Sequence, residues 1–299
     1  MSIASAKITI NGTDYTLTHG SGNTWTATIT APGATSYNLD GHKYNCSVTA
    51  TNTAGTSATV DGGDLPGLML QVKETVKPVI SIVSPSTGAY VTNNKQPVVF
   101  TVTDEAGGSG VNLASLVVKL DNAAVAAATL TSSAITNGYS VTYTPASAMS
   151  DGSHTITVNC ADNDGNAATA AATTIKVDTV PPALTLTSPA AGLITSNPAL
   201  AVAGTTNDIT SSPVTLEIKL NGAAVSGVTI NADGSFSKAV TLTEGDNTIV
   251  VTATDAAGKA STVSRTVTLD TTAPQISAAT IAPNPADTGE TVIVSVTII

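Results

Sequence analysis

Carboxylates are the residues of this chain best placed to do chemistry. Glu74, Asp104, Glu105, Asp162 and Asp164 form one group along the sequence, and Asp178, Asp208 and Asp255 a second. Clustered carboxylate oxygens suit a hard divalent cation such as calcium, which takes about 6–8 oxygen ligands. Histidine offers less. His19, His42 and His154 are the only three, and no HExxH, GxSxG elbow or P-loop accompanies them. His154 occupies a scaffold position aligned with Tyr44, and Gly107-Gly-Ser-Gly110 reads as a flexible loop. Cys46 and Cys160 fall at equivalent points of different repeats, lack partners at metal-ligand spacing, and read as buried small hydrophobes. No catalytic residue is expected, and no cofactor apart from calcium.

Three near-copies of one stretch supply the frame for these acids. They are Val48-Thr-Ala-Thr-Asn-Thr-Ala-Gly55, Val158-Asn-Cys-Ala-Asp-Asn-Asp-Gly165 and Val251-Thr-Ala-Thr-Asp-Ala-Ala-Gly258, beginning 110 and 93 residues apart. Alternating apolar and polar residues mark a half-buried strand. Asn or Asp at the start of the following turn can bond the turn's own backbone, and Gly at its end accepts positive φ. Asn11-Gly12 between Ala6-Lys-Ile-Thr-Ile10 and Thr13-Asp-Tyr-Thr-Leu17 is a strong hairpin signal. Thr24–Thr30 alternates as a further strand and holds Trp25, read as a core residue. Short strands with a turn every ten residues or so, and no helical period, predict all-β, tandem immunoglobulin-like β-sandwiches. Tyr44-Asn-Cys46 matches the tyrosine-corner spacing of such domains, without the second cysteine of their intersheet disulfide.

The joints repeat as well. Glu74-Thr-Val-Lys-Pro78, Asp178-Thr-Val-Pro-Pro182 and Asp270-Thr-Thr-Ala-Pro274 each read acid, Thr, two residues, Pro. Proline fixes φ and holds its predecessor extended, so a semi-rigid rod is expected rather than beads on a flexible string. The expected domains are 1–74, a short immunoglobulin-like domain, then 75–178 and 179–271, with 272–299 a β-strand tail or partial fourth domain. That tail should dock on the third domain or add a strand to a neighbouring sheet edge, unless it is the cut start of a further domain of a longer chain.

In a sandwich of this kind the incoming chain and two of the loops share one end. The first joint should then gather Glu74, Asp104, Glu105, Asp162 and Asp164, and the second Asp178, Asp208 and Asp255. A calcium ion at either joint would stiffen the hinge. Turn chemistry competes for the same groups, because Asp162 and Asp255 are already explained as turn residues, and Lys77 could neutralise the first joint.

Composition narrows the partners. Hydrophobic residues make up 41% of the 299 residues, aromatics only 3%, and the net charge is −10. Thin two-sheet cores of small and β-branched side chains fit that balance. Phosphate backbones are repelled, so nucleic acid is excluded, and no 18-residue apolar stretch implies membrane insertion. The first twenty residues lack the apolar run of a secretory signal, so either the numbering starts at an engineered Met or the protein is made in the cytoplasm and reaches its destination by assembly or lysis.

Val251-Thr-Ala-Thr-Asp-Ala-Ala-Gly-Lys-Ala-Ser-Thr262, followed by Leu269-Asp-Thr-Thr-Ala-Pro274, resembles bacterial immunoglobulin-like repeats of surface proteins and bacteriophage structural proteins. The likeness covers about residues 75–299 and is looser before them. Ile281-Ala-Pro-Asn-Pro-Ala-Asp-Thr-Gly289 and the strand after it resemble the end of immunoglobulin-like proteins of prophage tail modules in Gram-positive bacteria. The resemblance implies a non-enzymatic virion part: a tail, fibre or decoration subunit, located in the virion. Its partners are then other virion proteins, reached by strand addition through the tail, and a host cell-surface glycan or protein. The alternative is an extracellular cell-surface adhesin fragment. A carbohydrate-binding module has no aromatic array to support it.

Overall fold

The computed structural model describes residues 2–299. The chain is all-β, with single 3-10 turns at Asp40–His42, Pro66–Leu68 and Ala127–Thr129 and no α-helix among the described residues. It divides into two compact units, Met1–Thr179 and Val180–Ile299.

The first unit begins with β1 (Ile3–Ile10), β2 (Thr13–His19), β3 (Trp25–Thr26), β4 (Tyr44–Asn45), β5 (Ser47–Asn52), β6 (Ser57–Asp61) and β7 (Met69–Leu70). Five of these form a sheet in the order β3-β2-β1-β5-β6, and β4 pairs with β7. Asn11 (φ 48°) and Gly12 (φ 76°) both adopt positive φ, as a tight hairpin turn matching the strand twist requires. The core here is small: Ile10, Tyr44 and Cys46, with Ile8, Tyr15, Ile29, Leu68, Leu70 and Val72 packed on it. The Tyr44 hydroxyl donates to the Ala34 carbonyl at 3.0 Å, the bond expected of a tyrosine corner. Two expectations are corrected. Only Trp25–Thr26 of the 24–30 stretch pairs as strand, and Trp25 lies outside the core cluster, half-buried, edge-on to His19 at 5.1 Å. Nothing opposite that end of the thin sheet encloses a side chain so large.

The same unit continues with β8 (Val79–Ser84), β9 (Ala89–Val91), β10 (Val98–Thr103), β11 (Val111–Leu120), β12 (Ala123–Ala124), β13 (Leu130–Ile135), β14 (Gly138–Tyr143), β15 (Gly152–Asp162) and β16 (Ala171–Val177). A four-stranded sheet, β13-β14-β10-β8, and a five-stranded one, β12-β11-β15-β16-β9, make a sandwich. Alternation decides what faces inward. Val98, Phe100 and Val102 of β10 are buried, as are Ile156, Val158 and Cys160 of β15 and Ile175 and Val177 of β16. Phe100 stands between its cross-strand partners Ile82 and Val141. Each such aliphatic side chain contributes about 1.5–3 kcal/mol on full burial.

The second unit repeats the plan with β17 (Ala183–Ser188), β18 (Leu193–Thr195), β19 (Ala199–Asn207), β20 (Thr215–Leu220), β21 (Ala223–Ala224), β22 (Ser235–Thr241), β23 (Gly245–Thr254) and β24 (Ala260–Leu269). Its sheets are β17-β19-β22 and β18-β24-β23-β20-β21. In both sandwiches a three-residue strand pairs parallel to the last long one: β9 with β16, and β18 with β24. A final hairpin, β25 (Ile276–Ala282) and β26 (Ile293–Ile298), completes the unit. Every residue of that hairpin is exposed, so the expected docking of the tail on the third domain is corrected. Its two strands satisfy only each other's backbone groups, leaving their aliphatic face without a covering layer.

The three landmark turns behave alike. The Oδ1 of Asn52 accepts the Thr56 N–H at 2.9 Å, that of Asp162 the Asn166 N–H at 2.8 Å, and that of Asp255 the Lys259 N–H at 2.8 Å. Gly55, Gly165 and Gly258 all take positive φ. The turns therefore fix the loop ends from which the acids project.

Candidate metal centre at the first joint

Asp104 follows β10 directly, and the loop 104–110 turns back into β11. The loop closes on its own acid: the Gly110 N–H donates to Asp104 Oδ2 at 2.7 Å. Glu74 lies in the extended joint segment and is half-buried. Its Oε1 accepts the Ser109 N–H, and the Asn166 side chain donates to its carbonyl at 3.1 Å. Each of these two carboxylates thus has one oxygen anchored by loop backbone.

The three carboxylates converge. One carboxylate oxygen each from Glu74, Asp104 and Glu105 lies within 4.8 Å of the other two. Glu74 Oε2, Asp104 Oδ1 and Glu105 Oε2 are all shielded from solvent and have no hydrogen-bond partner among the described residues. Asp104 is 8% exposed. Burial raises its pKa above the ordinary 3.8; the Gly110 N–H opposes this, and the charges of Glu74, Asp162 and Asp164 reinforce it. Gly108 makes the close approach possible, since a Cβ there would lie 2.8 Å from Glu105 Cδ and 2.9 Å from Asp104 Oδ2.

Asp162 and Asp164 stand beside this group but are occupied otherwise. Asp162 holds its turn through Oδ1 and accepts the Asn166 side-chain N–H at Oδ2, 2.7 Å away. Asp164 Oδ2 accepts the Thr35 hydroxyl at 2.5 Å and the Glu74 N–H at 3.0 Å, while Lys73 donates to its carbonyl at 3.1 Å. Asn38 donates to the Gly108 carbonyl at 2.7 Å. These bonds seat residues 35–38 on the loops of the second sandwich. Sequence reading missed Thr35 and Asn38, whose types carry no signal at this spacing. Lys77 is exposed and forms no ion pair with the three acids among the described residues.

The other expected acids are placed as follows. Asp178 is fully buried at the end of the first unit, and its N–H donates to the Val91 carbonyl at 2.9 Å. In the second unit, carboxylate oxygens of Asp208 and Asp255 lie within 4.8 Å of each other. Asp208 Oδ1 accepts the N–H groups of Thr210 and Ser211 at 2.8 and 2.7 Å, which caps its own loop.

The histidines are committed to the scaffold. His19 and His42 each bond a backbone carbonyl. His154, buried, meets Asp121 Oδ2 at 2.7 Å through Nδ1 and the Ser150 carbonyl at 2.8 Å through Nε2. With acceptors on both sides, the imidazolium satisfies both. Both cysteines are buried and free. Burial, aided by the charges of Asp104 and Asp162, pushes the Cys160 thiol up to about 11, so it stays protonated. Among the described residues no helix is long and apolar enough to cross a membrane.

Residues 83–179 match the family described as bacterial Ig-like domain, and residues 182–271 match glucodextranase, domain B. No curated protein matches the chain. Solved structures similar to it include fibronectin(III)-like modules of Clostridium thermocellum CbhA, at 16% identity over 64% of this chain and 94% of that one, TM-score 0.39. Sidekick-1 immunoglobulin domains 1–4 align at 11% identity over 89% of this chain and 67% of that one, TM-score 0.41. A 1.5-MDa bacterial ice-binding adhesin aligns at 19% identity over 90% of this chain and 87% of that one, TM-score 0.32. Residues 83–179 thus match a bacterial Ig-like domain, within a chain of β-sandwiches that carry repeated Asx-Gly turns.

Proposed function

We propose that the chain is a non-enzymatic structural protein that spaces and displays binding surfaces as a bacteriophage virion component, in a tail, fibre or decoration role. The observation that carries this reading is repetition without linkers. The last strand of one sandwich ends at Val177 and the next begins at Ala183; the following pair of limits is Leu269 and Ile276. An acid-Thr-x-x-Pro joint bridges each gap, so what the sequence repeats is a spacer and its hinge. The three histidines bond scaffold groups and both cysteines are buried, so neither residue type is set beside the other as a base and nucleophile would be. The exposed hairpin β25–β26 supports strand addition to other virion proteins as the mode of attachment. Outward Thr and Ser side chains are available to a host cell-surface glycan or protein.

The reading is tested by immunogold electron microscopy with antibody against the purified chain. Particles released from the producing bacterium after prophage induction should carry label at a fixed position. Label on intact uninduced cells, with none on particles, would overturn it in favour of a surface adhesin.

A further inference from the structure

We propose that Glu74, Asp104 and Glu105 form a binding site for one hard divalent cation of calcium's class, which locks the joint segment onto the loop 104–110. This inference stands on its own geometry, whether or not the chain belongs to a virion.

Calcium binds oxygen at about 2.3–2.6 Å, so two ligands of one ion are at most about 4.6–5.2 Å apart. The three carboxylates fall within that limit, with one oxygen of each lying within 4.8 Å of the others. The free oxygens are directed by construction. Backbone N–H groups of Ser109 and Gly110 hold the opposite oxygens of Glu74 and Asp104, so neither carboxylate can swing out without breaking a loop bond. Asp104 is more than nine-tenths buried with Oδ1 unmatched, and on the half-buried Glu74 and Glu105 the Oε2 atoms are likewise shielded and unmatched. No ammonium or guanidinium group among the described residues pairs with them. Like charges so close and so shielded repel, and a dication is the ligand that turns the repulsion into attraction.

The structure also selects among the five acids expected at this joint. Asp162 is held by both oxygens to Asn166, and Asp164 by Thr35 and the Glu74 N–H. They shape the site and seat the first domain, whereas the three unmatched carboxylates ligate. Backbone carbonyls and water complete the shell, as calcium sites commonly allow.

The test uses the full chain, stripped with chelator and titrated with calcium chloride by calorimetry, alongside Glu105→Gln, Asp104→Asn and the control Asp246→Asn. Hydrogen exchange maps the location. Expected for the wild type and the control are saturable uptake, a melting midpoint of the first unit that rises with calcium, and slower exchange at residues 73–76 and 104–110. Glu105→Gln and Asp104→Asn should each weaken uptake at this site at least tenfold and lose the exchange response. Glu105 is less buried than Asp104, so its variant keeps the test meaningful if Asp104→Asn fails to fold. The proposal is overturned if no uptake occurs by about 10 mM, beyond the weak ~10⁻³ M end of calcium modules. It is equally overturned if both variants bind as the wild type does, or if exchange slows elsewhere and not at these two segments.

Discussion

Replacing Phe236 by Ala should destabilise the second unit and leave the first untouched. Phe236 is 2% exposed, on β22, and its cross-strand partner on β19 is Gly204. A Cβ at Gly204 would lie 2.8 Å from Phe236 Cζ, so the ring fills the space a side chain there would otherwise take. Truncation leaves two small residues facing each other across the β19–β22 pair, at the centre of an otherwise aliphatic core. The cost of such a change is about 3–5 kcal/mol, set against about 5–15 kcal/mol for a whole domain. At roughly 4–8 °C per kcal/mol for a domain of this size, the midpoint should fall by about 12–40 °C. Refilling from the other side should fail. A Cβ at Gly204 also meets the Thr185 carbonyl oxygen at 2.1 Å, a backbone clash that removing the ring does not relieve. Gly204→Ala should therefore destabilise alone and give no rescue in the double variant. Differential scanning calorimetry of the full chain reads both results. A shift of under about 4 °C, a rescue by Gly204→Ala, or an equal shift of every transition would refute the reasoning.

Three further outcomes are expected. His154 is raised above its ordinary 6.5 because the bonds to Asp121 and Ser150 outweigh desolvation, and Asp121 is lowered below 3.8 because bonds from His154 and Thr155 outweigh its own desolvation. The His154 contribution is complete below pH 6.5 and is lost as pH rises through the folded pKa; the Asp121 contribution is complete above pH 3.8 and is lost on acidification. The first unit should therefore melt highest between those values, and the double variant Asp121→Asn/His154→Asn, copying the Asn221–Asn247 pair of the next sandwich, should flatten the profile. Asp164→Ala removes the acceptor of the Glu74 N–H and the shorter of the Thr35 hydroxyl's two bonds, leaving the latter only the Val72 carbonyl, at about 1–3 kcal/mol, and should speed hydrogen exchange at residues 34–38 and 72–74. Deleting residues 275–299 should leave the β17–β24 transition in place, because none of the hairpin is buried, while abolishing incorporation into particles.

The parts of the fold that were legible in the sequence are those set by local chemistry. Asn11-Gly12 specifies its turn by backbone conformation alone, and the three Asx-Gly turns specify theirs by a side chain bonding its own loop. Val98, Phe100 and Val102 announce their face by alternation. Trp25 was misread because alternation in residues 24–30 says nothing of whether a second sheet lies opposite, and at that end of the first sheet no covering layer encloses it. The candidate site was legible as a set of acids but not as a partition. Whether Asp164 ligates an ion or seats Thr35 depends on a neighbour 129 residues away, and no local pattern encodes that. The Asp121–His154 pair escaped notice for the same reason: its members lie on different strands, and its neutral counterpart, Asn221 with Asn247, shares no residue type with it.

The central claim, that these sandwiches display rather than transform, is tested most directly by quantitative mass spectrometry of density-purified particles from the producing bacterium. Peptides from the chain should be present at a fixed ratio to the major particle protein and should stay with the particles through a high-salt wash. Their absence from particles, with recovery instead from protease-shaved intact cells, would contradict the account.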